Sequence, residues 1–242
     1  MNDLFARVDA NKQKIDMYRP MREPLLSELR AYYRIGLTWS SNALEGNSLT
    51  ESETKVVLED GLTVAGKPLR DHYEAVGHAQ AYDTMWTLLD PRVALTEADI
   101  LSLHRLFYSR INEAQAGVYR DTRVFITGSR FVPPAPDKVP SLMAEFVSWL
   151  NIATLHPVEW AAQAHLRFVF IHPFIDGNGR VARLLMNLCL LRHGYTLVIV
   201  PPILRSEYIR LLEKAHTDEK PFVDFIAERV LETQKDILRM LS

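Results

Sequence analysis

The segment from 179 to 193 constrains the fold more than any other part of the sequence. It reads GRVARLLMNLCLLRH, and apolar residues cover nearly every side of it apart from Arg180, Arg183, Asn187 and Arg192. A surface helix would have one polar face, so a helix of this composition lies in the middle of a bundle. The chain therefore needs several other helices to surround this one.

Helical signals recur along the rest of the chain. The tetrapeptides TESE (50–53) and TEAD (96–99) have the pattern of a capping box, and Pro157 suits the first turn of a helix. We find no internal repeat and no low-complexity linker. Helices are predicted over 24–44, 50–58, 70–89, 96–111, 141–152, 157–171, 179–193, 205–216 and 221–241.

One segment has a different pattern. In RVFITGSRFV (123–132), β-branched and aromatic residues flank Thr127-Gly128-Ser129, which predicts a β-hairpin. The fold class is therefore all-α, a single domain with one small hairpin. Two strands alone leave unpaired edges unless something covers them, so the hairpin is either a core strand pair or an open edge.

Composition narrows the classes of protein. The 242 residues are 48% hydrophobic with a formal charge of −2, which is ordinary for a globular protein and gives no basic surface for nucleic acid. No apolar run reaches the ~18–20 residues of a membrane span, and the first residues lack a signal-peptide core. The single Cys189 excludes an internal disulfide and is expected to be a buried apolar residue. We expect a soluble cytoplasmic protein with no membrane contact.

The loop before the central helix, IHPFIDGNGR (171–180), combines features that bind anions. Gly177 and Gly179 allow successive amide groups to point the same way, and the positive end of the helix dipole begins there. Arg180 and Arg183 are three residues apart and share one helix face at the same end. Amide groups that point the same way form an anion-binding nest. This nest, the helix dipole and the two guanidinium groups together suit a polyphosphate.

Two further residues in this loop suggest chemistry. Asp176 is a hard carboxylate beside the expected phosphates, as Mg²⁺ prefers, and His172 can accept a proton from a hydroxyl near pH 7. The structural alternative is a glycine-rich turn whose Asp and Arg residues pair with each other. Twelve positions that hold a base, a metal ligand, a phosphate cradle and two cations favour the functional interpretation.

These residues resemble a known family. HPFIDGNGR followed by VAR is similar to the whole signature of the Fic domain, His-Pro-Phe-x-Asp/Glu-Gly-Asn-Gly-Arg-x-x-Arg. The resemblance implies a Fic-type helical bundle over roughly 50–225 and transfer of AMP from ATP to a hydroxyl of a target protein. It implies that His172 is the general base, that Phe174 anchors the loop and that Asp176 binds Mg²⁺. It further implies phosphate binding by Gly177, Asn178, Gly179, Arg180 and Arg183.

The same resemblance assigns a role to the hairpin. In the family this element is a flap that pairs with an extended segment of the target, which tolerates varied target sequences. The residues expected to dock the target, with self-modification as a further outcome, are Val124, Phe125, Ile126, Thr127 and Gly128.

The stretch SSNALEGN (40–47) resembles the inhibitory motif of Fic proteins that carry their own N-terminal brake, with Ser41 and Glu45 as its defining residues. The implied contact is between Glu45 and Arg183, which would occupy the clamp that the γ-phosphate needs. We therefore divide the chain into an N-terminal helical region, 1–48, and a Fic core with C-terminal helices, 49–242, forming one compact unit.

Alternatives remain open at this point. The same site could remove AMP, with Glu45 orienting a water, or the chain could be a nucleotide-gated interaction module that does no chemistry. A metal-dependent hydrolase would use His165, His172 and Asp176 with a fourth ligand. The candidates for this fourth ligand are His104 and His156. Tyr208 and Asn187 are candidates for contacting adenine, and an exposed helical face could serve a homodimer.

Overall fold

The computed structural model describes residues 3–21, 23–152 and 154–241, which form ten α-helices and no β-strand. The helices are α1 (Asp3–Asp16), α2 (Leu25–Ala43), α3 (Glu51–Lys55), α4 (Leu69–Met85), α5 (Glu97–Tyr108), α6 (Val139–Ile152), α7 (Pro157–Ile171), α8 (Asn178–Arg192), α9 (Arg205–Lys214) and α10 (Lys220–Leu241). None of the helices in these ranges is both long enough and apolar enough to span a membrane. The all-α prediction is confirmed.

Helix α8 occupies the centre of the bundle, as its composition predicts. Of its 15 residues, 13 are buried, and it packs along α7 and against α2, α4 and α5. Leu184, Leu188 and Cys189 have no exposed surface. Burying a leucine side chain stabilises a fold by about 1.5–3 kcal/mol, so this helix is held firmly in place. The loop between α7 and α8 therefore has two fixed ends.

Helix α1 is absent from the prediction. It packs on α10, where Val8 is fully buried and its carbonyl oxygen accepts a hydrogen bond from the Gln234 side chain at 3.0 Å. Only Phe5, Val8 and Ile15 are buried among its 14 mostly polar residues. Three buried positions are too few to establish a helical period, and α1 is recognisable only once α10 is beside it.

Both predicted capping boxes are present. The Glu53 amide donates to Thr50 Oγ1 at 3.2 Å and the Thr50 amide donates to Glu53 Oε2 at 2.7 Å. Thr96 and Asp99 repeat the arrangement at the start of α5, at 3.2 and 2.8 Å. A cap of this kind stabilises a helix by about 1 kcal/mol, which helps to explain why both helix starts were predictable.

The predicted β-hairpin is wrong. Residues 123–132, called the flap from here on, form two arms without regular secondary structure, joined by a turn in which the Ser129 amide donates to the Ile126 carbonyl at 3.0 Å. The arms do not pair, because the second arm is held elsewhere. The Arg130 amide donates to Glu213 of α9 at 3.3 Å, and the Phe131 ring stacks on His216 at 4.2 Å between centroids.

Candidate functional site

His172 ends α7 in the left-handed conformation, with φ 51° and ψ 59°. Its Nδ1 lies 3.2 Å from the Val169 carbonyl oxygen, which can only accept a hydrogen bond. Nδ1 therefore carries the proton and Nε2 keeps its lone pair. Burial lowers the pKa of the imidazole; the Val169 hydrogen bond opposes this, and the Arg120 guanidinium adds to it. The ring is neutral near pH 7 and can take up a proton at Nε2.

The loop after His172 is closed by Asn178 and anchored by Phe174. The Asn178 side chain accepts from the Phe174 amide at 2.9 Å and donates to the Phe174 carbonyl at 2.8 Å. The buried Phe174 ring stacks on His104, with centroids 3.7 Å apart and planes 3° apart. The anchoring position of Phe174 agrees with the resemblance, whereas the side chain of Asn178 holds the loop and leaves only its backbone for an anion.

His104 fixes the same loop from α5. It accepts at Nδ1 from the Gly117 amide at 2.9 Å and donates from Nε2 to the Asp176 carbonyl at 3.1 Å. Burial lowers its pKa to about 4, so it stays neutral. Both ring nitrogens are engaged by backbone groups, and His104 is therefore a clamp on the loop and unsuited to bind a metal.

The two glycines of the loop are required by close contacts. Gly177 has φ 81°, and a Cβ atom there would lie 2.9 Å from the Phe107 ring. A Cβ atom on Gly179 would overlap Glu45 Oε1. Since α8 begins at Asn178, the amide groups of its first turn have no acceptor within the helix. An anion at this end would meet these amides and the positive end of the dipole.

Asp176 is surrounded by cations. Its Oδ2 accepts from Arg70 at 2.6 Å, and its Oδ1 accepts from Arg180 at 2.9 Å and from the Gly177 amide at 2.6 Å. Burial by itself would raise the pKa of the Asp176 carboxyl, but these donors outweigh it and lower the pKa below its ordinary value. The carboxylate is ionised at neutral pH, and about a third of the side chain is exposed.

Arg180 points under the loop. Its Nη1 lies 3.0 Å from Glu74 Oε1, and its guanidinium covers the Phe107 ring at 4.3 Å. The same Glu74 oxygen accepts from Arg70 at 3.0 Å. Arg70 and Glu74 belong to no motif in the sequence, although their spacing of four residues on α4 is a signal of a helical ion pair.

Arg183 is a buried clamp with four contacts. It donates to Ser41 Oγ at 2.9 Å, to the Ser41 carbonyl at 2.8 Å, to Glu45 Oε1 at 2.7 Å and to the Tyr208 hydroxyl at 3.2 Å. Only 2% of its side chain is exposed. The contact between Glu45 and Arg183 expected from the sequence is present in the structure. Tyr208 in turn hydrogen-bonds His165 Nε2 at 2.7 Å.

Glu45 therefore lies where the helix start and the clamp would meet an anion. Burial would raise the pKa of its carboxyl, but Arg183 and then Arg180 outweigh this and lower the pKa. About a third of the Glu45 side chain is exposed. Its carboxylate sits against Gly179, so a negatively charged group already occupies part of the nest.

A cavity of about 150 Å³ opens beside His172 and Arg183. Its walls come from the flap, the end of α7 and α9, and they are largely apolar and aromatic. Phe131, Phe170 and His216 form an aromatic cluster along it, with centroids 4.1 to 5.5 Å apart. Of the two adenine candidates, Tyr208 lines this cavity. Asn187 does not, since its amide is fully buried and bonded to the backbone of Arg183 and Val198.

The structure does not support the hydrolase alternative. His165 is engaged with Tyr208, and His156 bonds Asp9 at 3.2 Å and the Val158 amide at 3.3 Å. Within the ranges that the structure describes, no three His, Cys, Asp or Glu residues are grouped to hold a metal ion. The imidazoles proposed as zinc ligands therefore have separate structural partners.

Comparison with known proteins adds to this geometry. Residues 94–190 match the model of the Fic/DOC family. The protein adenylyltransferase Fic of Drosophila erecta is 42% identical over 194 residues, which are 78% of this chain and 39% of that protein. The solved structure of Fic-1 from C. elegans matches with a TM-score of 0.88 at 30% identity, covering 98% of this chain and 72% of the other. The chain belongs to the Fic/DOC family.

The Fic-type bundle predicted from the sequence is confirmed over nearly the whole chain. A Fic domain containing signaling protein from Bacteroides thetaiotaomicron has a TM-score of 0.87 at 27% identity, and the match covers 96% of this chain and 94% of that one. The segment that matches the Fic/DOC model runs from the start of α5 almost to the end of α8 and contains the whole His172 loop. The chain spans about two fifths of the length of the Drosophila relative.

Proposed function

We propose that this chain is a protein adenylyltransferase that transfers AMP from ATP to a hydroxyl group of a protein. The supporting observation is a neutral imidazole with a free Nε2, directly before a glycine-lined helix start that carries the buried Arg183. Family relatives at about 42% identity bear the name protein adenylyltransferase. Loss of transfer on substitution of His172 is the decisive test.

In the proposed reaction, Nε2 of His172 takes the proton of the target hydroxyl as its oxygen forms a bond to the α-phosphorus of ATP. The bond between that phosphorus and the oxygen bridging to the β-phosphate breaks, and pyrophosphate leaves. The amides at the start of α8 offset the charge that develops on the phosphates. Arg180 and Arg183 neutralise the phosphate tail.

The aromatic cavity suits a nucleobase. Phe131 and His216 stack on each other at 4.2 Å between centroids and, with Phe170, form an aromatic wall of the cavity that His172 also lines. A planar base packed against this wall would place its phosphates toward Gly179 and Arg183, which line the same cavity. ATP is therefore proposed as the substrate.

Asp176 is proposed to hold Mg²⁺. One carboxylate is sufficient, because Mg²⁺ retains several waters and takes other ligands from substrate phosphates. The donor set fits, since Oδ2 is bonded to a cation, the half-exposed Arg70, which another cation can replace. Bound Mg²⁺ would neutralise negative charge on the phosphates.

Glu45 is proposed to be an internal brake. Its carboxylate bonds Arg183 and sits against Gly179, so a γ-phosphate directed at the clamp meets a negative group. ATP would then settle with its α-phosphorus out of line for attack, and a misplacement of about 1 Å can cost on the order of 10²-fold in rate.

The flap is proposed to dock the target. Phe125 in the first arm is 80% exposed, and this arm has no strand partner among the described residues. An extended target segment could add to this arm through backbone hydrogen bonds. A segment of the chain itself could dock in the same way, which gives self-modification. Homodimer formation and a cytoplasmic location remain predictions from the sequence.

The test uses ATP labelled at the α-phosphate, incubated with Glu45→Gly protein and a cell lysate. Label on protein supports transfer, and the double variant with His172→Ala is the matched control. Binding of ATP with no label on any protein would contradict the proposed function.

The reverse reaction is a second candidate, favoured by one observation. Glu45 contacts Arg183 through Oε1, while Oε2 has no hydrogen bond among the described residues and the side chain borders the cavity. Such an oxygen can orient a water for attack on a modified side chain. Loss of label from a pre-modified protein, abolished by Glu45→Gly, would support this direction.

A further inference from the structure

Arg120 is a buried cation bonded to carbonyl oxygens. It precedes the flap, is 3% exposed, and lies in no ion pair with a carboxylate of the described ranges. Its guanidinium donates to the carbonyls of His172 at 2.7 Å, Thr122 at 3.0 Å and Pro134 at 2.6 Å. A buried charge is costly unless it is well hydrogen-bonded, so this arrangement needs all three acceptors.

Two of these acceptors are the ends of the flap. Thr122 comes directly before residues 123–132, and Pro134 follows shortly after them. The arms of the flap do not pair with each other, so the strand ladder that would fix their separation is missing. One guanidinium bonds both ends at once, and its planar fork fixes their relative position.

The other acceptor belongs to the His172 loop. His172 has a positive φ, which is strained for a residue other than glycine and persists only where its surroundings hold it. Arg120 holds the His172 carbonyl through Nε, and its own amide donates to the Pro173 carbonyl at 2.9 Å. Two consecutive carbonyls next to the proposed base are therefore fixed by one residue.

We propose that Arg120 is a positioning residue that fixes the backbone of His172 and both ends of the flap relative to each other. This inference rests on the proposed transfer reaction. A target segment held by the flap would then present its hydroxyl within reach of Nε2, and ATP would bind without help from Arg120.

The charge of Arg120 has a second effect at His172. Burial lowers the pKa of the imidazole, and the nearby guanidinium lowers it further, whereas the carboxylates of Glu45 and Asp176 raise it. In a Glu45→Gly parent the carboxylate of Asp176 remains, and loss of the cation removes one of the two effects that lower this pKa. The pKa of His172 should then rise, and the base should be lost at a higher pH.

Two substitutions separate geometry from charge, both made in a Glu45→Gly parent that is free of the brake. Arg120→Lys keeps the charge but not the planar fork, and Arg120→Gln removes the charge. We expect both to lower the transfer rate on the order of 10²-fold, because small misplacements of reacting groups have effects of that size. The affinity for ATP should be retained, because the guanidinium of Arg120 bonds only backbone carbonyls. Arg110→Gln, at an exposed position after α5, is the control and should leave the rate unchanged.

The pH profile distinguishes positioning from simple loss of stability. We expect the acid limb of the rate profile to stay in place in Arg120→Lys and to move to higher pH in Arg120→Gln. A folded Arg120→Lys variant that transfers AMP at the parent rate would overturn the proposal. So would a loss of ATP affinity as large as the loss of rate.

Hydrogen exchange gives a readout that requires no activity. In Arg120→Lys, amides of residues 123–132 and 174–178 should exchange faster, while those of α1 and α10 should not. Unchanged exchange in the flap and the loop would overturn the proposal even if Arg120→Gln fails to fold. If Arg120→Lys shows the expected exchange but the Glu45→Gly parent labels no protein, the proposed transferase function is contradicted. The positioning role of Arg120 is then supported.

Discussion

Substitution of Glu45 should raise the transfer rate. The size of the increase follows from the contact between Glu45 and Arg183 that the substitution removes. The contact is a charge-assisted hydrogen bond of 2.7 Å between Glu45 and Arg183. Such bonds contribute about 1.5–3 kcal/mol, and we take the lower end because about a third of the Glu45 side chain is exposed to screening solvent. Since about 1.4 kcal/mol corresponds to tenfold, Glu45→Gln should raise the transfer rate about tenfold.

Glu45→Gly should raise the rate further, because it also removes the atoms that lie against Gly179. The assay is incorporation of α-labelled AMP into the chain itself or into lysate proteins, with ATP affinity measured in parallel. Affinity should change little, since the brake disturbs the alignment of the phosphates more than their binding.

The pairing also predicts a pH range. The pKa of Glu45 is lowered in the folded protein, so its contact with Arg183 is present above the ordinary pKa of a glutamate and is lost as pH falls through the lowered value. Mild acid, near pH 6, should therefore not activate the wild-type chain. Equal rates for wild type, Glu45→Gln and Glu45→Gly would refute the reasoning, as would rescue of Arg183→Ala by Glu45→Gly.

Three other substitutions follow from the site. His172→Ala should lower transfer by about 10²–10⁴-fold with ATP affinity retained, as measured by labelling and calorimetry, and equal losses of both would make the residue structural. Asp176→Ala should abolish the dependence of the rate on added Mg²⁺, and a variant still stimulated by Mg²⁺ would place the metal elsewhere. Gly177→Ala should lower the melting temperature by about 2–10 °C, because positive φ and the contact with Phe107 together cost roughly 1–3 kcal/mol. An unchanged melting temperature would mean that the loop relaxes around the new methyl group.

The parts of the site that could be predicted from the sequence are contiguous in the chain. The loop from His172 to Arg183 carries its chemistry in twelve residues, and the apolar length of α8 places that loop at the centre of the bundle. The contact of Glu45 with Arg183 spans 138 residues, and it was accessible only through a family resemblance.

The parts that could not be predicted depend on partners far away in sequence. Arg120 and His104 carry no motif, and their importance comes from carbonyl groups that the fold brings to them. The flap has the composition of a hairpin, but contacts of its second arm with α9 outweigh pairing between the arms. The periodicity of apolar residues indicates which face of a segment is buried. It does not indicate which tertiary contacts the segment forms.

Helix α2 and the turn that follows it supply Ser41 and Glu45, two of the contact residues of Arg183. Ser41 gives two of the four bonds to the guanidinium, and Tyr33 and Leu37 of the same helix are buried in the core. Deletion of the N-terminal region would remove Glu45. It would also remove the Ser41 contacts of Arg183 and expose the core that Tyr33 and Leu37 cover. If Glu45 is the proposed brake, substitution of this one side chain is expected to give a constitutively active protein, whereas deletion of the N-terminal region is expected to destabilise the fold.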